Sequence, residues 1–237
     1  MQTDLNKDEM SKPRVLNNLM TSKGGKYSRN PAKHRFGGGD GLVGMPQVAT
    51  LRAEPGRYHL HVALACPWAC GTYSMLKLKG LQDAISVSIV HPTWQHTKPD
   101  DPDDDHCGWV YRRPGDPPLT NTLGHGSFPC DEALIPDGAT DCASIREVYN
   151  LCGDTEGPFT TPVLWDKKEN TIISNESMDI LYILNHCFNG IARYPDRTLY
   201  LPEGSALESE LELLNKTLIY PKVNNGVYRC GFARTPP

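Results

Sequence analysis

Residues 57–90 carry a strand pattern, a helix pattern and a second strand pattern, and this order limits the fold more than any other feature of the chain. Tyr58 to Ala65 first alternates polar and apolar residues and then becomes apolar, which predicts a strand entering a covered sheet. Pro67 to Lys79 predicts a helix, with proline in its first turn and Gly80 as its end. Ile85 to Val90 is the second strand, which follows the helix closely enough to be parallel to the first.

A second run of elements follows in the order helix, strand, strand, helix. Its four segments are Ala143–Leu151, Thr161–Trp165, Thr171–Ser174 and Glu176–Asn185. Polar turn residues separate the two strands, and Ser174 or Asn175 is expected to cap the last helix. With the first run, the order is βαβ followed by αββα, and Pro162 opens the third strand. We therefore predict an α/β fold of the thioredoxin-like arrangement, βαβαββα.

Composition and charge exclude several classes of function. The 237 residues include 24 basic and 28 acidic side chains, so the net charge of −4 offers no positive field to a nucleic acid. The sequence contains no run of the roughly 18 apolar residues that a membrane span requires. Met1 to Arg14 carries Asp4, Asp8 and Glu9 with no apolar stretch behind it, so no secretory signal is visible. We expect a cytoplasmic protein that binds neither nucleic acid nor membrane.

The eight cysteines form no CxxC pair, which argues against a zinc ribbon and against a dithiol redox motif. The acidic run at residues 100–105 lacks the glycine and the distal glutamate of a calcium-binding loop. His106 and Cys107, even with Cys130, match a metal-ligand pattern only by chance. We predict no metal and expect the cysteines to be reduced.

The chain divides into three predicted parts. Residues 1–56 are polar and glycine-rich without periodicity, which indicates an extended N-terminal arm. Residues 57–189 hold the thioredoxin-like domain, interrupted at 91–138 by an acidic, proline-rich insertion. Residues 190–237 form a linker and the incomplete start of a helical domain, because Ser205–Tyr220 has one apolar face. That face consists of Leu207, Leu211, Leu214 and Leu218.

Cys66 is the strongest candidate nucleophile. It stands between the first strand and the helix opened by Pro67, where free backbone N–H groups and the helix dipole favour a thiolate. Ala69 occupies the position of a second thioredoxin-type cysteine, so a monothiol cycle with an external thiol is the natural chemistry. The alternative is that Cys66 is a buried, inert residue. Cys70, four residues on, could be a resolving thiol, but two cysteines at this spacing on a helix rarely form a bridge, and its alternative role is packing.

Five further residues complete a candidate peptide site. A cis Pro162 would present the backbone of Thr161 to an extended peptide thiol. Glu176 and Ser177 begin a helix, where an ammonium group and a carboxylate could bind, although a plain helix start is the alternative. Trp109, in the insertion, is either a packed anchor or a lid over a ligand.

These motifs together resemble the glutathionyl-hydroquinone reductases, the Xi class of glutathione transferases. The resemblance runs from about Gly24 to Ala233. It rests on RYHLHVALACPWA at 57–69, LKLKGLQDAISVSIV at 76–90, CGWV at 107–110, TPVLWDKK at 161–168, ISNES at 173–177 and IYPKVNNGVYRCGFA at 219–233. The resemblance implies that residues 57–189 bind glutathione and that residues 190–237 begin the all-α C-terminal domain of a glutathione transferase.

The resemblance also implies a reaction, in which glutathione is a co-substrate and S-glutathionyl-hydroquinones are reduced. Cys66 matches the family's catalytic cysteine and Tyr228 a tyrosine that faces the hydroquinone. Trp109, Thr161 with Pro162, Glu176 and Ser177 match the glutathione-binding positions. The alternatives are a general monothiol transferase or dehydroascorbate reductase, and an inactive truncated fragment.

The sequence departs from the family pattern in three places. Cys70 and Gly71 replace the His-Arg pair that commonly follows CPWA, which removes a basic residue near the thiolate. Pro158 replaces a basic residue that contacts glutathione in the family. The chain also ends in the first part of the family's helical domain, which places the implied homodimer in doubt.

Overall fold

The computed structural model of the chain describes residues 31–36, 51–199 and 205–232. Most of the predicted arm, residues 1–56, therefore lies outside the described residues. The described chain forms two compact units. One contains Ala32–Thr97 and Gly108–Pro202, and the other contains Lys98–Cys107 and the chain from Glu203 onward. The predicted boundaries at 56, 91, 138 and 189 remain predictions.

The larger unit follows the predicted order of elements. Its strands and helices are β1 (Tyr58–Val62), α1 (Pro67–Lys79), β2 (Ser86–Ile89), the two-residue strands β3 (Gln95–His96) and β4 (Cys107–Gly108), α2 (Ile145–Leu151), β5 (Val163–Asp166), β6 (Thr171–Ser174) and α3 (Ser177–Tyr182). Of β4, only Gly108 belongs to this unit. The chain of α3 continues into π-helical turns at Ile183–Cys187, and a 3-10 turn follows at Asn189–Ile191. The sequence predicted each main strand and helix within about three residues at either end.

Four strands form one mixed sheet in the order β2-β1-β5-β6. β1 and β2 are parallel, with Leu60 opposite Val87, because α1 carries the chain back across the sheet between them. β5 is antiparallel to β1, with His61 opposite Val163, and β6 is antiparallel to β5. This topology confirms the predicted thioredoxin-like fold.

The core lies on both faces of the sheet. Alternate residues of a strand point to opposite faces, so Leu164 of β5 packs in one cluster and its neighbours Val163 and Trp165 pack in the other. The first cluster includes the buried sides of α1 and α3, and the second includes α2. Trp165 is fully buried, and removing a side chain of that size from a core costs about 3–5 kcal/mol.

Residues that end and begin helices fix where the elements turn. Gly80 closes α1 with a φ of 67°, and its N–H donates to the Lys77 carbonyl. A Cβ at this position would lie 2.7 Å from the Cβ of Arg193, so both the conformation and the close approach require glycine. Ser144 caps α2 by accepting from the Glu147 N–H, while the Glu147 carboxylate accepts from the Ala143 N–H at 2.8 Å.

The smaller unit contains the predicted C-terminal helix, in an altered form. Ser205 caps α4 (Ala206–Leu214), π-helical turns follow at Asn215–Asn224, and α5 (Asn225–Phe232) completes the segment. The helical path therefore continues beyond the predicted end at Tyr220, with Pro221 inside it. The four leucines of the predicted apolar face are 42–59% exposed. Within the described residues, no helix combines the length and apolar character that crossing a membrane requires.

Candidate active site

Cys66 is the N-cap residue of α1, as the sequence predicted. Its backbone is extended, with φ −99° and ψ 114°, and Pro67 occupies the first helical turn. The side chain is half-buried and packs at the margin of both core clusters. The sulfur therefore stands at the N-terminus of a 13-residue helix, as the sequence predicted.

The Thr161–Pro162 pair lies directly beside this sulfur. The peptide bond is cis, as predicted, and the Cys66 Sγ lies 3.5 Å from the Thr161 carbonyl oxygen, to which it donates. Thr161 is buried, and its Oγ1 has no hydrogen-bond partner among the described residues. The fold thus brings the backbone of residue 161 to the candidate nucleophile, 95 positions away in the chain.

Glu176 and Ser177 stand at the same edge of the sheet. β1 runs towards Cys66 at its C-terminal end, where Val163 of β5 pairs with His61. β6 is antiparallel to β5 and so parallel to β1, which brings its last residue, Ser174, to that same edge. The elements that carry the nucleophile, the cis-proline backbone and the start of α3 therefore meet at one end of the sheet.

The cap of α3 differs from the expectation. Neither Ser174 nor Asn175 is the N-cap; Glu176 takes that position, and its carboxylate accepts from the Met178 N–H and from the Ser177 hydroxyl, each at 3.4 Å. The Ser174 hydroxyl instead accepts from the Glu176 N–H at 3.0 Å and forms a turn one step earlier. Ser177 is thus the first helical residue, with a buried side chain beside the Glu176 carboxylate.

Trp109 is partly buried and packs against the same core cluster as Cys66. Its ring meets the ring of Trp94 edge to face, with 5.3 Å between the centroids. Its carbonyl accepts from the Ile145 N–H at 3.0 Å, which fixes the backbone to the start of α2. Trp109 is therefore an anchored aromatic residue in the core cluster that also receives Cys66.

Tyr228 lies on α5 in the smaller unit and is half-buried. Its assignment to the substrate site stays a prediction.

Several of the other cysteines have raised pKa values. All eight lie within the described ranges and are free thiols. Burial raises the pKa of Cys107 to about 11 and that of Cys187 to about 12. Burial, followed by the nearby Cys66, raises the pKa of Cys70, whose Sγ donates to the Leu64 carbonyl at 3.1 Å. These thiols are held in the neutral form, which is inert towards disulfide exchange.

A polar cluster that the sequence analysis missed lies on β1. His59, His61 and Asp137 place possible ligand atoms within 4.8 Å of one another. Both ring nitrogens of His59 pair with serine hydroxyls at 2.7 Å, and the Asp137 carboxylate accepts from Ala139, Thr140 and Cys142. Among the ring nitrogens and carboxylate oxygens of this cluster, the Nε2 of His61 is the atom that is buried without a hydrogen-bond partner in the described part of the chain. We therefore interpret the cluster as a buried hydrogen-bond network and not as a metal site.

Comparison with known proteins places this geometry in a family. The profile described as Glutathione S-transferase, N-terminal domain, matches residues 65–187, more than half of the chain. The glutathionyl-hydroquinone reductase PcpF of Sphingobium chlorophenolicum is 35% identical over 215 residues, which cover 90% of this chain and 56% of that protein. The reductase YqjG of Escherichia coli K12 is 37% identical, with the same coverage of 90% and 56%.

Solved structures agree with the sequence relatives. The glutathione transferase Xi of Phanerochaete chrysosporium is 32% identical with a TM-score of 0.64, over 88% of this chain and 59% of that one. The glutathione-bound structure of YqjG is 38% identical with a TM-score of 0.58, over 78% of this chain and 50% of that one. The chain spans about half the length of the curated relatives it matches. The resemblance to the Xi class is confirmed, and the chain belongs to the glutathione S-transferase family.

Proposed function

We propose that the chain is a glutathione-dependent thioltransferase that reduces S-glutathionyl-hydroquinones to hydroquinones. The observation that carries this proposal is the position of Cys66, which caps α1 with its sulfur 3.5 Å from the Thr161 carbonyl. A thiolate at a helix N-terminus is the nucleophile that a monothiol cycle requires. The names and structures of the relatives support glutathione as the thiol.

The proposed reaction has two steps. The Cys66 thiolate first attacks the sulfur of the substrate's glutathionyl group, and the bond between that sulfur and the ring carbon breaks. The ring carbon takes the electron pair and a proton, for which Tyr228 is the proposed donor, and a Cys66–glutathione mixed disulfide remains. A glutathione thiolate then attacks the glutathionyl sulfur of this disulfide, releases the Cys66 thiolate and forms glutathione disulfide.

Each residue at this end of the sheet is proposed to bind a different part of glutathione. The Thr161 backbone next to Pro162 pairs with the extended peptide, which places the glutathione sulfur at Cys66. The Glu176 carboxylate binds the ammonium group of the peptide, and the Ser177 hydroxyl binds its carboxylate. Trp109 contributes an aromatic wall beside the same core cluster. The proposed location is the cytoplasm, and the family's homodimer stays a prediction for this chain.

A glutathione-dependent assay on an S-glutathionyl-hydroquinone tests the proposal. We expect Cys66→Ser to lower the rate by at least about a thousandfold, because a serine hydroxyl cannot form the mixed disulfide. Cys70→Ser is the matched control, since its sulfur bonds to the Leu64 carbonyl, and it should keep the parent rate within about threefold. Equal rates for the parent and Cys66→Ser would overturn the proposal. Turnover of dehydroascorbate or simple mixed disulfides alone would indicate the general monothiol transferase.

A further inference from the structure

Residues 32–36, a described part of the predicted arm, lie against the end of β6 and the start of α3. The His34 N–H donates to the Asn175 side-chain oxygen at 3.2 Å, and the Asn175 N–H donates to the His34 carbonyl at 3.0 Å. The residue immediately before Glu176 is therefore bound to the arm through both its backbone and its side chain. The side-chain amide of Asn175 also donates to the Tyr149 hydroxyl at 2.9 Å.

Arg35 binds the first turn of α3 through Asp179. Its Nε and Nη2 donate to the two carboxylate oxygens of Asp179, each at 2.8 Å, in the bidentate geometry that makes such pairs strong. The Phe36 N–H donates to the same carboxylate at 3.2 Å. Asp179 is fully buried, so these donors take the place of water around its carboxylate oxygens.

Ser174 connects this ion pair to Glu176. Its hydroxyl lies 3.3 Å from an oxygen of Asp179 and 3.2 Å from the His34 carbonyl, and it can donate to one of them at a time. The Ser174 hydroxyl oxygen also accepts from the Glu176 N–H at 3.0 Å. A continuous path of hydrogen bonds thus runs from the Arg35 guanidinium through Asp179 and Ser174 to the backbone of Glu176.

We infer that Arg35 and Asp179 are positioning residues, which hold the Glu176–Ser177 turn in the conformation that binds the amino-acid end of glutathione. The inference rests on the proposed function. Arg35 does not need to touch glutathione, because it acts on the buried carboxylate that orients Ser174 and hence the Glu176 backbone. A pre-organised site loses affinity when its supporting hydrogen bonds are removed, even where the binding side chains remain.

The test compares glutathione binding and turnover in Arg35→Gln, Asp179→Asn and the parent. We expect KM for glutathione to rise about tenfold in both variants while kcat stays within about twofold, because binding is weakened and Cys66 is untouched. Arg113→Gln, at an exposed arginine, is the matched control and should keep the parent KM. Arg35→Lys, which keeps the charge but loses the bidentate fork, should give an intermediate KM.

The outcomes separate this inference from the proposed function. An unchanged KM in Arg35→Gln would overturn the positioning role while leaving the parent's glutathione-dependent activity intact. Loss of kcat at constant KM would overturn it as well. A parent chain without glutathione-dependent turnover would overturn the proposed function and, with it, the inference. If Arg35→Gln does not fold, Arg35→Lys decides, and a parent KM in that folded variant overturns the inference.

Discussion

Two polar clusters are associated with β1, and they differ in their access to solvent. At the end of the strand, Cys66 is half-buried, its sulfur lies beside the Thr161 carbonyl, and it is the N-cap residue of α1. Within the strand, His59 and His61 are fully enclosed and pair with hydroxyl groups. Nucleophilic or ligating residue types therefore do not by themselves make a reactive site. Whether such a residue is reactive depends on its exposure and on whether neighbouring groups already occupy its hydrogen-bonding atoms.

The largest expected difference is in thiol reactivity. We expect iodoacetamide to modify Cys66 about a thousandfold faster than Cys187, because burial raises the pKa of Cys187 to about 12 and alkylation requires the thiolate. Peptide mass spectrometry of a labelling time course at neutral pH measures both rates. Labelling in urea is the control, in which the two rates should converge. Alkylation rates of Cys66 and Cys187 within tenfold of each other in the folded protein would contradict the expected difference in reactivity.

The buried cluster should show itself in the pH dependence of stability. Burial lowers the pKa of His59 from 6.5 to about 4 and that of His61 to about 3. Between pH 6.5 and 5 the unfolded imidazoles take up protons and the folded ones stay neutral, so acid favours unfolding. The folded state therefore has its full stability above pH 6.5. Below that pH, each imidazole lowers the free energy of unfolding by at most about 1.4 kcal/mol per pH unit.

Urea unfolding at pH 7 and pH 5 measures this effect on the free energy of unfolding. His61→Phe should flatten the pH dependence by about one proton, since one buried imidazole is lost. His125→Gln, at an exposed ring, is the control and should keep the slope of the parent. A slope in His61→Phe equal to the parent's would contradict the assignment of the pH dependence to the buried network.

What the sequence predicted correctly was set by local signals. Cys66 before Pro67, Pro162 before a strand and Gly80 after a helix are turn and cap patterns whose causes lie within a few residues. The thioredoxin-like order followed from them, and the sheet topology confirms it. The same signals place Cys66 and the Thr161–Pro162 backbone at one end of the sheet, where the Cys66 sulfur lies beside the Thr161 carbonyl.

What the sequence did not predict depends on partners far along the chain. Arg35 pairs with Asp179 across 144 positions, and nothing near Arg35 indicates that contact. Ser174 or Asn175 was expected to cap α3, but the Ser174 hydroxyl lies within hydrogen-bond distance of His34 and Asp179, and Glu176 is the N-cap. Periodicity and spacing carry no information on such contacts, because the topology of the folded sheet creates them.

The smallest expected effect separates stability from catalysis within the comparison. The fully buried hydroxyl of Tyr111 lies 2.7 Å from the Nδ1 of His61, so Tyr111→Phe removes a partner that water cannot replace. We expect the free energy of unfolding to fall by about 1–3 kcal/mol, while glutathione-dependent turnover stays at the parent rate, because the lost hydrogen bond joins Tyr111 to His61 and involves none of the proposed glutathione-binding residues. Urea unfolding and the hydroquinone assay measure the two quantities. Tyr73→Phe, at a half-buried ring on α1 that contacts Lys77, is the matched control and should change neither. A loss of turnover in folded Tyr111→Phe would show that the two clusters on β1 are coupled, and the distinction between a stabilising cluster and a reactive one would then fail.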